Sequence, residues 1–537
     1  MLNDFFGSVF TKEAEPIPDF PIATPARTLP DITIEQETVK KKLASLKENK
    51  SPGPDALPPK VLKEVAAQLS EPLTLLMNLS LETGQLPSAW KKANITAIYK
   101  KGDRADPNNY RPVSLTCQAC KVMEAILRDS IQTHLSEEGI ISPAQHGFLP
   151  ARSVTTQLLE CLDAWSEVID SGHSVDVIYL DLSKAFDSVP HRRLLTKMKR
   201  MGISDQLLSW VEAFLTGRSQ RVVLNGTHSP WSEVSSGVPQ GSVLGPLLFV
   251  IYINDMPSVI QTCIKLFADD AKVYYPITQD SDHLNLQQDL DSLEAWAAAS
   301  QLRFNAAKCQ VLHIGARNPQ HEYRIAGQEV PSCDAVKDLG VLMDTRLSFQ
   351  AHAESKIATA NKLLGMIRRT FSFLDTSLLS WLFKAMVRPH LEYCHTVIHP
   401  RTVAQTQAIE GVLRRASKLI QELRDLPYEE RLRRLKLPTM LYRFRRGDMI
   451  TLFKYTHHLL DVPLNNICII PSQRISRGHQ FKLDKPRCRT TLRQKTFPHR
   501  AIEDWNNLPP EVAEAPSVQS FKNRLDDHWR DQQYIYL

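Results

Sequence analysis

No stretch of this 537-residue chain approaches the ~18 consecutive apolar residues that span a bilayer. The longest apolar run, Val243 to Ile253, is broken by Gly245 and Pro246. The opening residues, Met1-Leu2-Asn3-Asp4-Phe5-Phe6, soon meet Lys12, Glu13 and Glu15, so the basic-then-apolar order of a secretory signal is missing. Cysteine is scarce, odd in number and scattered: nine residues, with Cys117-x-x-Cys120 the one CxxC and no His at ligand spacing beside it. A disulfide framework and a zinc finger are therefore not expected, and a reducing intracellular compartment, nucleus or cytoplasm, is. There is no repeat of 20–50 residues and no low-complexity tract. Nor does one sign of charge dominate: 65 Lys and Arg stand against 59 Asp and Glu, a net +6. With 42% hydrophobic and 23% charged residues the chain can bury a sizeable core, and its length suits several domains or one large enzyme.

The charge is unevenly placed. Residues 401–460 hold 13 Lys and Arg against 6 Asp and Glu, a net +7 that exceeds the whole chain's +6. The pairs Arg414-Arg415, Arg433-Arg434 and Arg445-Arg446 alternate there with Leu432, Leu435, Tyr442 and Phe444, the pattern of a basic amphipathic helical region suited to a polyanion. A solvated helix face is the plainer reading of the same pattern. Pro16, Pro18, Pro21, Pro25 and Pro30 exclude a long helix from the first ~45 residues, which read as linker. Helical periodicity falls at 60–84, 117–137, 154–170, 284–299 and 356–369. Strand-like runs fall at 94–99, 175–182, 220–224, 264–268, 271–275 and 309–314. Their irregular alternation predicts an α+β fold.

Three carboxylates stand out. Asp181 lies in the run Val175-Asp176-Val177-Ile178-Tyr179-Leu180-Asp181-Leu182, where an ionised group is costly unless paired or metal-bound. Asp269 and Asp270 sit at the tip expected for a hairpin, although adjacent like charges are not a favoured turn. Singly, either motif fits a capping residue or an exposed polar turn. Jointly, they form an oxygen donor set for hard divalent cations.

At these residues the sequence resembles a known family. Phe267-Ala268-Asp269-Asp270 is similar to the [YF]xDD signature of reverse transcriptases. Leu180-Asp181-Leu182-Ser183-Lys184-Ala185-Phe186-Asp187 resembles their preceding metal-binding block in its non-LTR, LINE-type form. Ser236-Gly237-Val238-Pro239-Gln240-Gly241-Ser242 resembles the block between. Further likeness lies in Ser51-Pro52-Gly53-Pro54-Asp55, Ala97 to Asp103 with Asn109 to Leu115, Gln145-His146-Gly147-Phe148, Asn305 to Lys308, Lys337 to Val341 and Trp505 to Pro509. The kinship is to jockey-like and chicken-repeat-like elements, from about residue 3 onward.

The resemblance implies a right-hand polymerase fold: a linker remnant at 1–45, an N-terminal extension at 46–80, fingers and palm at 81–345, a thumb at 346–395 and a basic helical C-terminal region at 396–537. It implies RNA-directed DNA polymerisation with an RNA template, a DNA primer and dNTPs as partners, and two Mg²⁺, or Mn²⁺, as cofactor. Asp181, Asp269 and Asp270 are the implied catalytic metal ligands, with the Leu182 carbonyl as a further one and Asp270 the looser. Lys100 and Arg111 are candidates for the triphosphate, with Lys101 competing with Lys100. Phe186 corresponds to the gate against a 2′-hydroxyl; Gln240 and Gly241 to the loop under the incoming nucleotide; Lys308 to a general acid; Gly340 to the primer-grip turn. Arg414, Arg415, Arg433, Arg434, Arg445 and Arg446 would grip nucleic acid. Asp187 is expected to cap the helix entering at Pro190.

Three departures from the family pattern stand out. Ala56 follows Asp55 where the family has Gly. Cys394-His395-Thr396-Val397-Ile398-His399 replaces a Ser-Pro-Val-Trp-like run, and its His spacing only mimics a metal site. Met1 to Phe10 resembles the joint after an endonuclease domain, so that domain is expected to be missing. The rival reading is an RNA-binding remnant without turnover, which the intact carboxylates and Phe186 oppose.

Overall fold

The computed structural model describes residues 1–22, 24–472 and 478–535. It is a mixed α/β molecule. In chain order its main strands are β1 (Lys92–Tyr99), β2 (Tyr110–Leu115), β3 (Ser174–Asp181) and β4 (Arg218–Leu224), with short β5 (Thr227–His228) and β6 (Ser232–Val234). They continue with β7 (Cys263–Phe267), β8 (Asp270–Ile277), β9 (Gln310–Ile314), the short pair β10 (Arg324–Ile325) and β11 (Gln328–Glu329), then β12 (Ala335–Asp338) and β13 (Val341–Asp344). Strands β2, β1, β4 and β5 follow one another in the first sheet, where β1 runs parallel to β4 and β6 pairs with β4. The second sheet is antiparallel throughout, in the order β7-β8-β3-β9.

Side chains alternate across a strand, so β3 feeds two cores. Ile178 and Leu180 face one, with Leu266, Val273 and the helices Gln118–Glu137, His191–Arg200 and Asp205–Leu215. Val175 and Val177 face the other, with Leu312, Trp165 and the C-terminal residues Phe453, Trp505 and Phe521. Such a doubly covered strand reads as a nearly unbroken apolar run, which is what the sequence has there. A third core is all helical, joining Leu364 and Ile367 of the helix Gln350–Thr370 to Leu382, Leu413, Leu432 and Phe444. Among the described residues no helix is long and apolar enough to cross a membrane.

Two expectations need correction. The helix expected at 60–84 is two, Pro59–Glu64 and Ala66–Thr83, parted at Val65. Residues 1–45 are no free linker. Prolines keep their helices short, Leu2–Ser8 and Gln36–Ala44, but Phe6, Phe20, Ile34, Val39 and Leu43 are buried. Glu13 receives the backbone N–H groups of Arg192 and Arg193, at 3.1 and 2.9 Å, fastening the segment to the start of a core helix. The departure at Ala56 has a visible consequence: it adopts φ +56°, a left-handed conformation that glycine occupies without strain. Cys117 precedes the helix Gln118–Glu137, and with Cys120 it is a buried free thiol.

Candidate active site

The β3–β8 register sets Asp181 directly across from Asp270. The pair Phe267 and Asp270 closes the β7–β8 hairpin, so its turn residues are Ala268 and Asp269 and Asp270 is already in the strand. Opposed residues on antiparallel strands have Cβ atoms roughly 4.5–5.5 Å apart. Three carboxylates therefore share one corner of the sheet. Burial raises the Asp269 carboxyl above its ordinary range, and Asp181 adds to the rise while Arg111 and Lys100 oppose it. Burial, followed by the charge of Asp269, pushes Asp270 up to about 6.

A left-handed alanine, Ala268 at φ +55°, makes this turn possible. That conformation costs about 1–2 kcal/mol outside glycine and persists only where neighbours hold it. Here Gln145 holds it: its Oε1 accepts the N–H of Ala268 at 3.0 Å and that of Gly147 at 2.7 Å. His146 N–H donates to Leu266 O at 2.8 Å, and Leu266 N–H to Ala144 O at 2.9 Å, so Gln145 joins β7 through a single parallel bridge. A Cβ on Gly147 would come within 2.5 Å of the Ala268 nitrogen. The sequence marks Gln145-His146-Gly147-Phe148 as a family block but carries no local signal of this bracing role.

On one side of the corner Phe186 is stacked on Phe249, centroids 4.2 Å apart at 16°, and meets Phe148 edge-on at 6.3 Å. Its carbonyl accepts the Val238 N–H at 2.8 Å, tying the ring to the 236–241 loop. In that loop Gln240 O accepts Ser114 N–H at 2.6 Å, and Gly241, at φ +113°, lies so close to β2 that a Cβ would sit 2.6 Å from Ser114 O. Asp187 is not a helix cap. Its Oδ1 accepts Gln240 Nε2 at 2.8 Å, and the helix His191–Arg200 begins at Pro190 without a side-chain cap. Lys100 and Arg111 stand on the β1–β2 hairpin, Arg111 opposite Ile98, and both charges bear on Asp269.

On the other side Lys308 Nζ lies 3.3 Å from Asp181 Oδ2. Ser183 N–H and Asp181 O bond Arg303 O and Asn305 N–H, each at 2.8 Å, a pairing that leaves the intervening Leu182 carbonyl outside both bonds. Below them Lys272 and Asp338 form a buried ion pair to which Tyr179 donates at 3.3 Å, linking β8 to the β12–β13 hairpin. That hairpin turns through Leu339 (φ +45°) and Gly340 (φ +90°), both left-handed as a two-residue turn prefers. Tyr393 Oη donates to Leu339 O at 2.6 Å.

The basic segment departs from expectation. Arg445 pairs with Asp504 through Nε at 2.9 Å and Nη2 at 3.0 Å, and Arg446 with Asp526, Nη2 at 2.7 Å. Carboxylates elsewhere in the chain thus pair with both and compete for them with any phosphate. Arg414, Arg415, Arg433 and Arg434 stay exposed; Arg415 donates to Asn361 at 3.0 Å and Arg434 to Glu430 at 3.0 Å.

Rival metal centres fail on geometry. His395 and His399 pack on Phe444, centroids 5.7 and 5.9 Å away, rather than converging on an ion. Among the described residues one group sets three possible ligands within 4.8 Å of one another: Asp280, His283 and His321. Its imidazoles stack at 3.9 Å and 16°, and one ion cannot lie in two nearly parallel ring planes. Asp181, Asp269 and Asp270 are not drawn that tight. Like charges repel, and two ions about 3.5–4 Å apart span a wider set of oxygens.

The stretch that holds this corner is similar to known proteins. Residues 98–343 match the family described as reverse transcriptase (RNA-dependent DNA polymerase). The chain is 32% identical over 339 residues to the RNA-directed DNA polymerase from mobile element jockey of Drosophila melanogaster, covering 60% of this chain and 37% of that protein. It is 29% identical over 458 residues to the jockey polymerase of Drosophila funebris, covering 82% and 49%. It is 29% identical over 388 residues to the probable RNA-directed DNA polymerase from transposon X-element of Drosophila melanogaster, covering 69% and 42%. The chain thus spans less than half the length of each of these relatives. Residues 98–343 are thus similar to reverse transcriptase domains, and the relatives they resemble include RNA-directed DNA polymerases of jockey mobile elements.

Proposed function

We propose that the chain is an RNA-directed DNA polymerase that extends a DNA primer on an RNA template with dNTPs. The observation that carries this reading is the β3–β8 register, which opposes Asp181 to Asp270 with Asp269 in the adjoining turn, inside the matched domain. On this reading β3, β7, β8 and β9 are the palm, the β1–β2 hairpin belongs to the fingers, and the helices from Gln350 to Glu392 form the thumb. The region from 396 onward packs against the palm.

An all-oxygen donor set suits hard divalent cations such as Mg²⁺. Asp181, Asp269 and the Leu182 carbonyl would hold two of them, with Asp270 as the looser ligand. When bound, such ions neutralise charge on the attacking 3′-oxygen and on the leaving pyrophosphate. The protein's own groups do the rest. Arg111 offers a planar fork and Lys100 a point charge to the triphosphate. Gly241 lets the backbone approach the nucleotide, and Gln240, anchored by Asp187, shapes the floor beneath it. Phe186, backed by Phe249, blocks the space a 2′-hydroxyl would need. Lys308, beside Asp181, is the group assigned to protonate pyrophosphate.

Primer extension on a primed RNA template tests the proposal. Wild type should incorporate dNTPs in the presence of Mg²⁺, and Asp269→Ala should lose roughly 10³-fold, the scale of removing a major source of transition-state stabilisation. A folded wild-type protein that extends nothing defeats it. In the same assay Phe186→Ala should narrow the preference for dNTPs over rNTPs by at least about tenfold; unchanged discrimination removes the gate from Phe186.

A further inference from the structure

Glu160 lies on the helix Val154–Asp170 and is 4% exposed. A buried carboxylate is costly without donors, and this one has three. Asn466 Nδ2 donates at 2.9 Å, His146 Nε2 lies at 3.2 Å, and Lys265 Nζ forms an ion pair with the same group. Each donor comes from a different part of the chain. Lys265 is on β7, which runs into the Ala268-Asp269 turn. His146 adjoins Gln145, whose Oε1 holds that turn. Asn466 belongs to the C-terminal region, 306 residues from Glu160.

A second tie runs beside the first. Arg152 Nε donates to Asp461 at 2.8 Å, and its Nη1 donates to the carbonyls of Gln145 at 2.6 Å and Pro143 at 3.1 Å. Asp461 N–H returns a bond to Ala151 O at 3.3 Å. Residues 461–466 therefore bear on the loop that holds the left-handed Ala268 by two routes, through Arg152 and through Glu160 with His146.

We propose that the segment 461–466 is a positioning element for the catalytic turn, with Asn466 acting through Glu160 and Asp461 through Arg152. This rests on the polymerase reading for its catalytic meaning, though not for its mechanics. The strained turn carries Asp269, and groups that orient a ligand from behind set how well it binds its ion. The C-terminal region then contributes to catalysis without touching substrate.

Asn466 and Asp461 are both exposed, so the double variant Asn466→Ala/Asp461→Ala should fold, which a circular dichroism spectrum and thermal midpoint verify. The first measurement is hydrogen exchange in ion-free protein: amides at 266–270 should exchange roughly tenfold faster, with the remaining β3–β9 amides unmoved. The second is the Mg²⁺ concentration giving half-maximal primer extension, which should rise roughly tenfold, at the low end for orienting groups. KM for dNTP at saturating Mg²⁺ should hold. Glu160→Gln, which keeps shape and weakens the ion pair to Lys265, should shift both readouts the same way. Unaltered exchange at 266–270 in the folded double variant overturns the proposal whatever the activity. Faster exchange with an unaltered Mg²⁺ requirement overturns the catalytic role. An inactive wild type with faster exchange in the variant counts against the polymerase reading and supports the mechanical link.

Discussion

At the β7–β8 turn, Asp181, Asp269 and Asp270 crowd together, and burial plus mutual repulsion push Asp270 up to about 6. In the basic segment 401–460 the guanidinium groups are matched instead. Arg443 meets Glu392, Arg445 meets Asp504, Arg446 meets Asp526, and buried Arg431 donates to Ser417 and to the carbonyls of Arg424 and Leu426. The first region sets like charges side by side; in the second, Arg443, Arg445 and Arg446 are paired with carboxylates elsewhere in the chain, while Arg414, Arg415 and Arg433 stay exposed. A count of charges marks a region as rich. Whether the charges are available for function depends on what the fold brings against them.

Breaking a partner in the balanced region should give the largest stability effect. Arg446→Ala leaves Asp526 without its bidentate partner and should cost about 1–3 kcal/mol in denaturant unfolding. Asp269→Ala, which relieves repulsion, should leave stability intact or raised. If both variants lost stability equally, the contrast between the regions would fail. Next, Arg415→Ala/Arg433→Ala should lower the slope of log affinity against log salt for a primed template by roughly 0.7–0.9 for each phosphate that is no longer neutralised. Arg446→Ala should leave that slope alone, and a fall as large as the double variant's would return Arg446 to the nucleic-acid face.

A pH dependence sharpens the contrast further. Burial pushes Asp187 up to about 6 from its ordinary 3.8, so the folded state takes up a proton between those values. Its contribution to stability therefore falls as pH rises through that window and stays low above it. Asp187→Asn keeps an acceptor for Gln240 and carries no charge. The thermal midpoints of the two proteins should coincide near about pH 4 and separate, with the variant higher, toward about pH 7. A constant gap across that range would show that Asp187 is not the titrating group.

Much of the site was legible in sequence because unusual residue types recur in blocks: the carboxylate trio, Phe186, Gln240 and Gly241. The strands were legible because β3, covered on both faces, needs a continuous apolar run. The burial argument for Asp181 was less discriminating than it looked. The fully buried acid of that run is Asp176, held by His313 at 2.8 Å, Asn318 at 2.7 Å and Tyr323 at 2.6 Å, whereas Asp181 ends the strand partly exposed. Burial alone therefore marks a structural carboxylate as readily as a candidate metal ligand. Long-range partners were illegible: nothing local in Arg445, Arg446 or Gln145 announces Asp504, Asp526 or the Ala268 turn. The packed N-terminal segment was hidden for a similar reason. Prolines signal the absence of long helix, not the absence of burial, and Phe6 and Phe20 anchor that segment to the rest of the fold.

The two-sided cover of β3 bears on how such a gene can change. Val175 and Val177 have part of their shelter in residues contributed from beyond position 440. A frameshift or premature stop in the distal coding sequence would strip that shelter from the sheet bearing Asp181 and leave an oily, aggregation-prone surface. Changes far downstream of the carboxylate blocks would thus weaken the sheet that carries Asp181, and with it the activity proposed above.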